Sequence, residues 1–187
     1  EADVVTIVDS LTKYAVMINE PEEILYHLEK AVYLALNGRQ GPVWLDIPLD
    51  VQGAFVDESD LKQFIPEPIN NNKIKGIDNF IEIYKNSKRP IILAGNGVRL
   101  SGSIDKLRSF ASKNNIPCVV SYLAVDYFEQ DNSNYVGRLG IKGDRAGNFA
   151  IQNSDLIICL GSRLSVCLTG FEYDLFARSS KLVVVDI

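Results

Sequence analysis

Apolar residues Ile24, Leu25, Leu28, Ala31, Val32, Ala35 and Leu36 recur at three- and four-residue intervals, the period of a helix that turns one face to a core. Pro21 suits the first helical turn, Glu22 and Glu23 favour the positive helix end, and Gly38 closes the run. Val43 to Ile47 reads as a strand, which Pro48 stops from continuing as a central one. One helix and one strand cannot close a core by themselves. Residues 1–51 are therefore expected to dock on the remainder of the chain, because a wet Ile24/Leu28/Val32 face promotes association.

From Gln52 to Asn72 the pattern breaks into "QGAFVDESDLKQFIPEPINNN", with prolines, a charge cluster and an Asn triplet, and reads as a linker. Beyond it, over 73–187, strands and helices alternate. A helix is expected over about Ile74–Asn86, then the strand Pro90–Ala94, a helix over Ser103–Asn114, the strand "IPCVVSY" and an irregular stretch. A short helix over Arg145–Gln152, the strand "DLIICLG" and the final strand "KLVVVDI" complete the series. The strands are continuous apolar runs instead of alternating ones, as in strands covered on both faces. That combination predicts an α/β fold, a doubly wound, Rossmann-like parallel sheet, with a fragment of a neighbouring α/β domain before it.

Composition narrows the function classes. The chain has 187 residues, 47% of them hydrophobic, enough for a real core, and a net charge of −5 with its bases scattered singly, which disfavours nucleic acid. No apolar run approaches the roughly 20 residues a membrane helix needs, and the opening "EADVVTIVDS" has neither a basic leader nor a cleavage site. Cys118, Cys159 and Cys167 are too irregular for a zinc or disulfide framework, so a reduced cytoplasmic setting is expected. His27, the single histidine, lies on the flank of the helix stripe and is expected at the surface; with no second histidine, no His-pair metal site is expected.

Three glycine-bearing stretches fall at expected strand ends. In "AGNGVRLSG" the glycines are Gly95, Gly97 and Gly102, so the third comes too late for a dinucleotide fingerprint, and the next strand ends without an acid. Either Gly95 and Gly97 let a ligand approach the backbone, or they make a plain structural turn. In "VGRLGIKGDRAGNFA", Gly137, Gly140 and Gly143 lead to a helix that Asp144 would cap, with Arg138, Lys142 and Arg145 adding charge for an anion. The alternative is a loop with solvated bases. The third stretch, "CLGSRLSVCLTG", sets Gly161, Ser162 and Arg163 just past a buried strand, where the Arg fork suits a phosphate or carboxylate.

"NGRQGPVWLDIPLDVQ" resembles the end of the pyrimidine-binding domain of thiamine-diphosphate-dependent enzymes of the acetolactate synthase type. "RPIILAGNGV", "IPCVVSY", "GRLGIKG", "DLIICLGSRL" and "VVVDI" resemble, in order, their central domain. The resemblance implies 1–51 as the end of the first domain, 52–72 as linker and 73–187 as the central domain. It implies a 2-keto-acid decarboxylating and carboligating enzyme, a transferase or lyase using thiamine diphosphate and Mg²⁺, with its activating glutamate and diphosphate motif outside this segment, so that the segment alone is inactive. It further implies FAD or ADP in the central domain, held by Gly95, Asn96, Gly97, Tyr122, Leu123, Leu139, Gly140, Ile141, Lys142, Gly161, Ser162, Arg163 and Asp186. Lys13 matches a lysine beside the substrate channel. Partners implied are the remaining domains and a homodimer or homotetramer. Two departures stand out: Lys142 replaces a histidine, and "LSVCLTG" lacks two acids and an arginine. Rival readings are a non-catalytic module for ADP, FAD or a CoA-like ligand, and a structural spacer.

Overall fold

The computed structural model describes residues 2–67 and 75–186, so the Asn70–Asn72 triplet and Ile74 lie outside the described residues. The chain divides into two compact units, Glu1–Asn72 and Lys73–Ile187. The first opens with α1 (Val4–Asp9), whose N-terminus is capped by Asp3 accepting from the Thr6 N–H at 3.0 Å. Strands β1 (Ala15–Met17) and β2 (Trp44–Asp46) then pair in parallel, with Val16 opposite Leu45. Parallel strands need a long crossover, and α2 (Ile24–Leu36) supplies it. Pro21–Glu23 forms a separate 3₁₀ turn ahead of α2 instead of its first turn. Past Pro48 the chain coils at once into α3 (Leu49–Gln52), which is why β2 is shorter than expected.

The second unit is a single sheet. After α4 (Ile77–Asn86) come β3 (Pro90–Ala94), α5 (Gly97–Leu100), α6 (Ile104–Asn114) and β4 (Cys118–Val120). Then come β5 (Tyr135–Arg138), α7 (Arg145–Asn153), β6 (Leu156–Leu160), α8 (Val166–Thr169) and β7 (Lys181–Val185). All five strands are parallel in the order β5-β4-β3-β6-β7. Because successive strand residues face opposite sides, Ile92 and Ala94 pack with Leu107, Ala111 and Phe80 on one face. Ile91 and Leu93 pack with Ile151, Leu139 and Leu168 on the other. Helices thus cover both faces of β3 and β6, as a doubly wound sheet requires.

Two expectations about strands are corrected. "VGR" reads as a glycine loop, yet Tyr135–Arg138 is an edge strand, pairing with β4 across a register shift between Cys118 and Val119. Gly137 takes φ +130 there, a backbone turn that Gly tolerates inside the bulge. And β7 is not covered on both faces: as an edge strand it leaves Leu182, Val184 and Val185 about half exposed.

The amino ends of β3 and β6 are tied by one carboxylate. Asp155 accepts from the Ser87 hydroxyl, the Lys88 N–H at 2.8 Å and the Arg89 N–H at 2.9 Å. Partial burial pushes this carboxyl up, but the Ser87, Lys88 and Arg89 donors outweigh it and hold the group below its ordinary range.

Candidate functional site at the carboxyl rim of the sheet

The chain leaves β3 for β4 and β5 on one side, then returns to place β6 on the other, so the order reverses between β3 and β6. Open α/β sheets bind ligands at the carboxyl ends of the strands flanking such a switch point. The two turns found there are the Gly95–Arg99 turn after β3 and the Gly161–Arg163 turn after β6.

These turns touch backbone to backbone. Gly97 N–H donates to Gly161 O at 2.9 Å and Gly95 N–H to Leu160 O at 2.9 Å. A Cβ on Gly95 would lie 2.3 Å from Gly161 O, one on Gly97 2.6 Å from the Gly161 Cα, and Gly161 itself sits at φ +57. The glycines are therefore required by the contact of one turn with the other, and the space between the two turns is filled by protein. Backbone donors at the corner nonetheless remain unengaged. The N–H groups of Asn96, Ser162 and Arg163 make no hydrogen bond to another described residue. The Arg163 guanidinium is exposed and makes no ion pair with one. Asp186 comes directly after β7 at the same end of the sheet.

Beside this corner, the third glycine stretch is braced from behind. Asn148 grips Gly140 from both sides, donating to its carbonyl at 3.1 Å and accepting from its N–H at 3.0 Å. Tyr122 Oη accepts from Lys142 N–H at 3.0 Å and donates to Cys167 O at 3.3 Å, joining the Leu139–Lys142 loop to α8. Leu139 is buried below, while Leu123 and Ile141 stand exposed on the rim. At the start of α7, two of the three bases expected to add charge for an anion have partners within the protein. Asp144 precedes α7, but its carboxylate takes the Arg138 guanidinium at 2.9 and 3.1 Å and the Arg138 N–H at 2.8 Å instead of capping the helix. Those Arg138 donors hold the Asp144 carboxyl below its ordinary range. Arg145 lies over the Phe149 ring, 5.4 Å from its centroid.

The structure therefore brings Gly95, Asn96, Gly97, Gly161, Ser162 and Arg163 into one corner. Tyr122, Leu123, Leu139, Gly140, Ile141 and Lys142 form the adjoining loop at the end of β4 and β5, and Asp186 lies just past the far strand. Lys13 belongs to the first unit and directs its ammonium at the last carbonyls of α2, those of Leu34 and, at 2.7 Å, Asn37. Nor is His27 a surface group: its side chain is only 12% exposed, with Nδ1 2.6 Å from the Tyr14 hydroxyl and Nε2 3.5 Å from Glu23. The helical pattern does not reveal this because Tyr14 comes from the strand side of the unit, thirteen residues away.

Burial pushes the Cys118 thiol up to about 12 and the Cys159 thiol to about 11, so neither is a nucleophile, whereas Cys167 is exposed. Among the described residues no group of three or more His, Cys, Asp or Glu side chains could hold a metal ion, and no helix is long and apolar enough to cross a membrane. Two adjoining surface depressions, about 430 and 320 Å³, lie near the opposite end of the sheet, beside Arg89, Gln152, Asn153 and Ser179. Sequence reasoning does not find Asn148, a lone amide within the helix expected over Arg145–Gln152, or Tyr127, an aromatic residue in the irregular stretch after β4.

Residues 77–187 match the family described as thiamine pyrophosphate enzyme, central domain. Over its whole length the chain is 33% identical to the acetolactate synthase large subunit of Corynebacterium glutamicum, and 33% identical to a probable acetolactate synthase large subunit of Methanocaldococcus jannaschii. Over 87% of its length it is 36% identical to the acetolactate synthase large subunit of Lactococcus lactis. It covers 30%, 32% and 29% of those relatives, so it spans less than a third of their length.

Proposed function

This chain belongs to the thiamine pyrophosphate enzyme central-domain family, and from that premise we propose that it is the middle portion of an acetolactate-synthase-like enzyme. The parent decarboxylates a 2-keto acid such as pyruvate and ligates the remaining fragment to an acceptor. One observation carries the reading: the similarity to acetolactate synthase large subunits runs through both units, not only through the central domain. Thiamine diphosphate supplies the electron sink for that chemistry. The described residues offer no cluster for its Mg²⁺, and the contribution of this segment is a rigid parallel sheet that positions its neighbours. The parent works as a homodimer or homotetramer in the cytoplasm, with its remaining domains in the same chain.

A nucleotide held at the β3/β6 corner completes the reading. Its phosphates fit the N–H groups of Asn96, Ser162 and Arg163 and the Arg163 guanidinium, all of which are free of other described partners. Leu123 and Ile141 offer exposed apolar surface on the same rim. The closed contact of Gly97 with Gly161 leaves no room for a phosphate between the turns, so the ligand lies on the corner. ADP or FAD satisfies these donors equally, and bound flavin would absorb near about 450 nm.

The test compares the full-length polypeptide that carries this segment with the 187-residue chain. Expected is CO₂ release from pyruvate that depends on added thiamine diphosphate and Mg²⁺ in the first and is absent in the second. Thiamine-dependent turnover by the 187-residue chain, or none by the full-length polypeptide, overturns the reading.

A further inference from the structure

Resting on the nucleotide reading of the corner, we propose that Tyr127 is the positioning residue that aims the Asn96 N–H at the ligand's phosphate. Tyr127 is fully buried. Its hydroxyl donates to Gly95 O at 3.0 Å and accepts from Arg99 N–H at 3.0 Å, so one oxygen ties both ends of the Gly95–Arg99 turn. Inside that turn the N–H groups of Gly95, Gly97 and Val98 are engaged by Leu160, Gly161 and Gly95 carbonyls. Asn96 alone keeps a donor, and its direction is set by the two ends that Tyr127 holds.

Tyr127 is itself held from several sides. Arg108 Nε donates to its carbonyl at 2.5 Å, and the Arg99 guanidinium lies 5.1 Å from its ring centroid while pairing with Asp126. Burial pushes the phenol up, so it remains a donor at neutral pH.

Removing the hydroxyl orphans nothing, because Gly95 O also accepts from Val98 N–H at 3.2 Å and Arg99 N–H also reaches Asn96 O at 3.0 Å. What is lost is the fixed geometry of the turn, and the ordering then falls on ligand binding.

Calorimetric titration of the 187-residue chain with ADP tests this. Tyr127→Phe is expected to bind ADP about tenfold more weakly, which is about 1.4 kcal/mol, and to shift the Asn96 amide resonance before any ligand is added. Tyr135→Phe, whose hydroxyl makes no bond in the turn, and the core variant Leu107→Ala are expected to bind ADP as the wild type does once folded. Wild-type affinity in Tyr127→Phe, or a loss that Leu107→Ala reproduces, overturns the role of Tyr127. If Arg163→Ala still weakens binding in that case, the nucleotide reading stands without it. If the wild type itself fails to bind ADP and FAD, the nucleotide reading falls and takes Tyr127's role with it.

Discussion

In the second unit Ile92, Leu93, Val119 and Cys159 are completely sealed between two helical layers, whereas in the first only Ile18, Ala31 and Val51 are buried among the described hydrophobic residues. Both units use the same device, parallel strands joined through a helix. The difference lies in number. Five strands give β3 and β6 neighbours on each side and helices on each face; two strands leave both members at an edge. The first unit accordingly exposes Leu28, Val32 and Leu36 along α2, together with Ile7, Leu11 and Trp44. A helix stripe of the right period is thus no guarantee of a core, because the period describes which residues could be buried and the partner layer decides whether they are.

The largest effects should fall where the second unit is tightest. Gly95→Ala places a methyl 2.3 Å from Gly161 O and 2.5 Å from Ser162 Cβ, and neither backbone can retreat without breaking the β3/β6 corner. A loss of about 3 kcal/mol or more is expected in urea unfolding. Leu93→Ala, at 0% exposure, is expected to cost about 3 kcal/mol, while Leu28→Ala, at 43% exposure, should cost below about 1 kcal/mol. Equal costs for the two leucines would erase the contrast between the units.

The same contrast governs what is legible in the sequence. Strands β3 and β6 are plain, because "PIILA" and "LIICL" are continuous apolar runs bounded by turn residues. Strand β5 is hidden, since Tyr135, Gly137 and Arg138 carry no such run and its place in the sheet comes from pairing with β4. The rim corners do need their glycines, yet the reason is the approach of Gly161 to Gly97, a contact between positions sixty-four residues apart that no local pattern encodes. Position alone makes Asp144 a cap for α7; the bidentate fork of Arg138, which projects from the neighbouring strand, competes for the same oxygens and wins. Partners outside the local pattern decide each of these outcomes.

A medium effect is expected at the amino edge, where Asp155 gathers three donors. Asp155→Asn keeps one acceptor oxygen and loses the charge, at an expected cost of about 1 kcal/mol near neutral pH. The depressed carboxyl fixes the sign with pH. Its contribution is complete above its unfolded value of about 3.9 and is lost as pH falls through the lower folded value. The gap in urea midpoint between wild type and Asp155→Asn should therefore be constant from about pH 7 to about pH 5 and narrow below about pH 4. A gap that widens on acidification would mean the carboxyl is not held as the structure has it.

The smallest effect belongs to the first unit, and it asks what keeps an extended segment in place where no core is available. Residues 61–64 lie along α2 through a few contacts. Lys62 N–H donates to Glu22 O at 3.1 Å, Lys62 Nζ meets Glu23 at 2.7 Å, and Phe64 N–H donates to Glu29 at 2.8 Å. The Phe64 ring sits 5.7 Å from Tyr26 and 5.5 Å from Tyr33. The ion pair is exposed and screened, so the aromatic contact should dominate. Phe64→Ala is expected to speed trypsin cleavage after Lys62 about fivefold, the scale of one aromatic contact near 1 kcal/mol, while leaving the urea midpoint of the second unit unchanged. Glu23→Gln, which removes only the charge opposite Lys62, should speed it much less. Were Glu23→Gln the more damaging change, charge would be the anchor of this segment, and the first unit would owe its order to electrostatics where the second owes its own to burial.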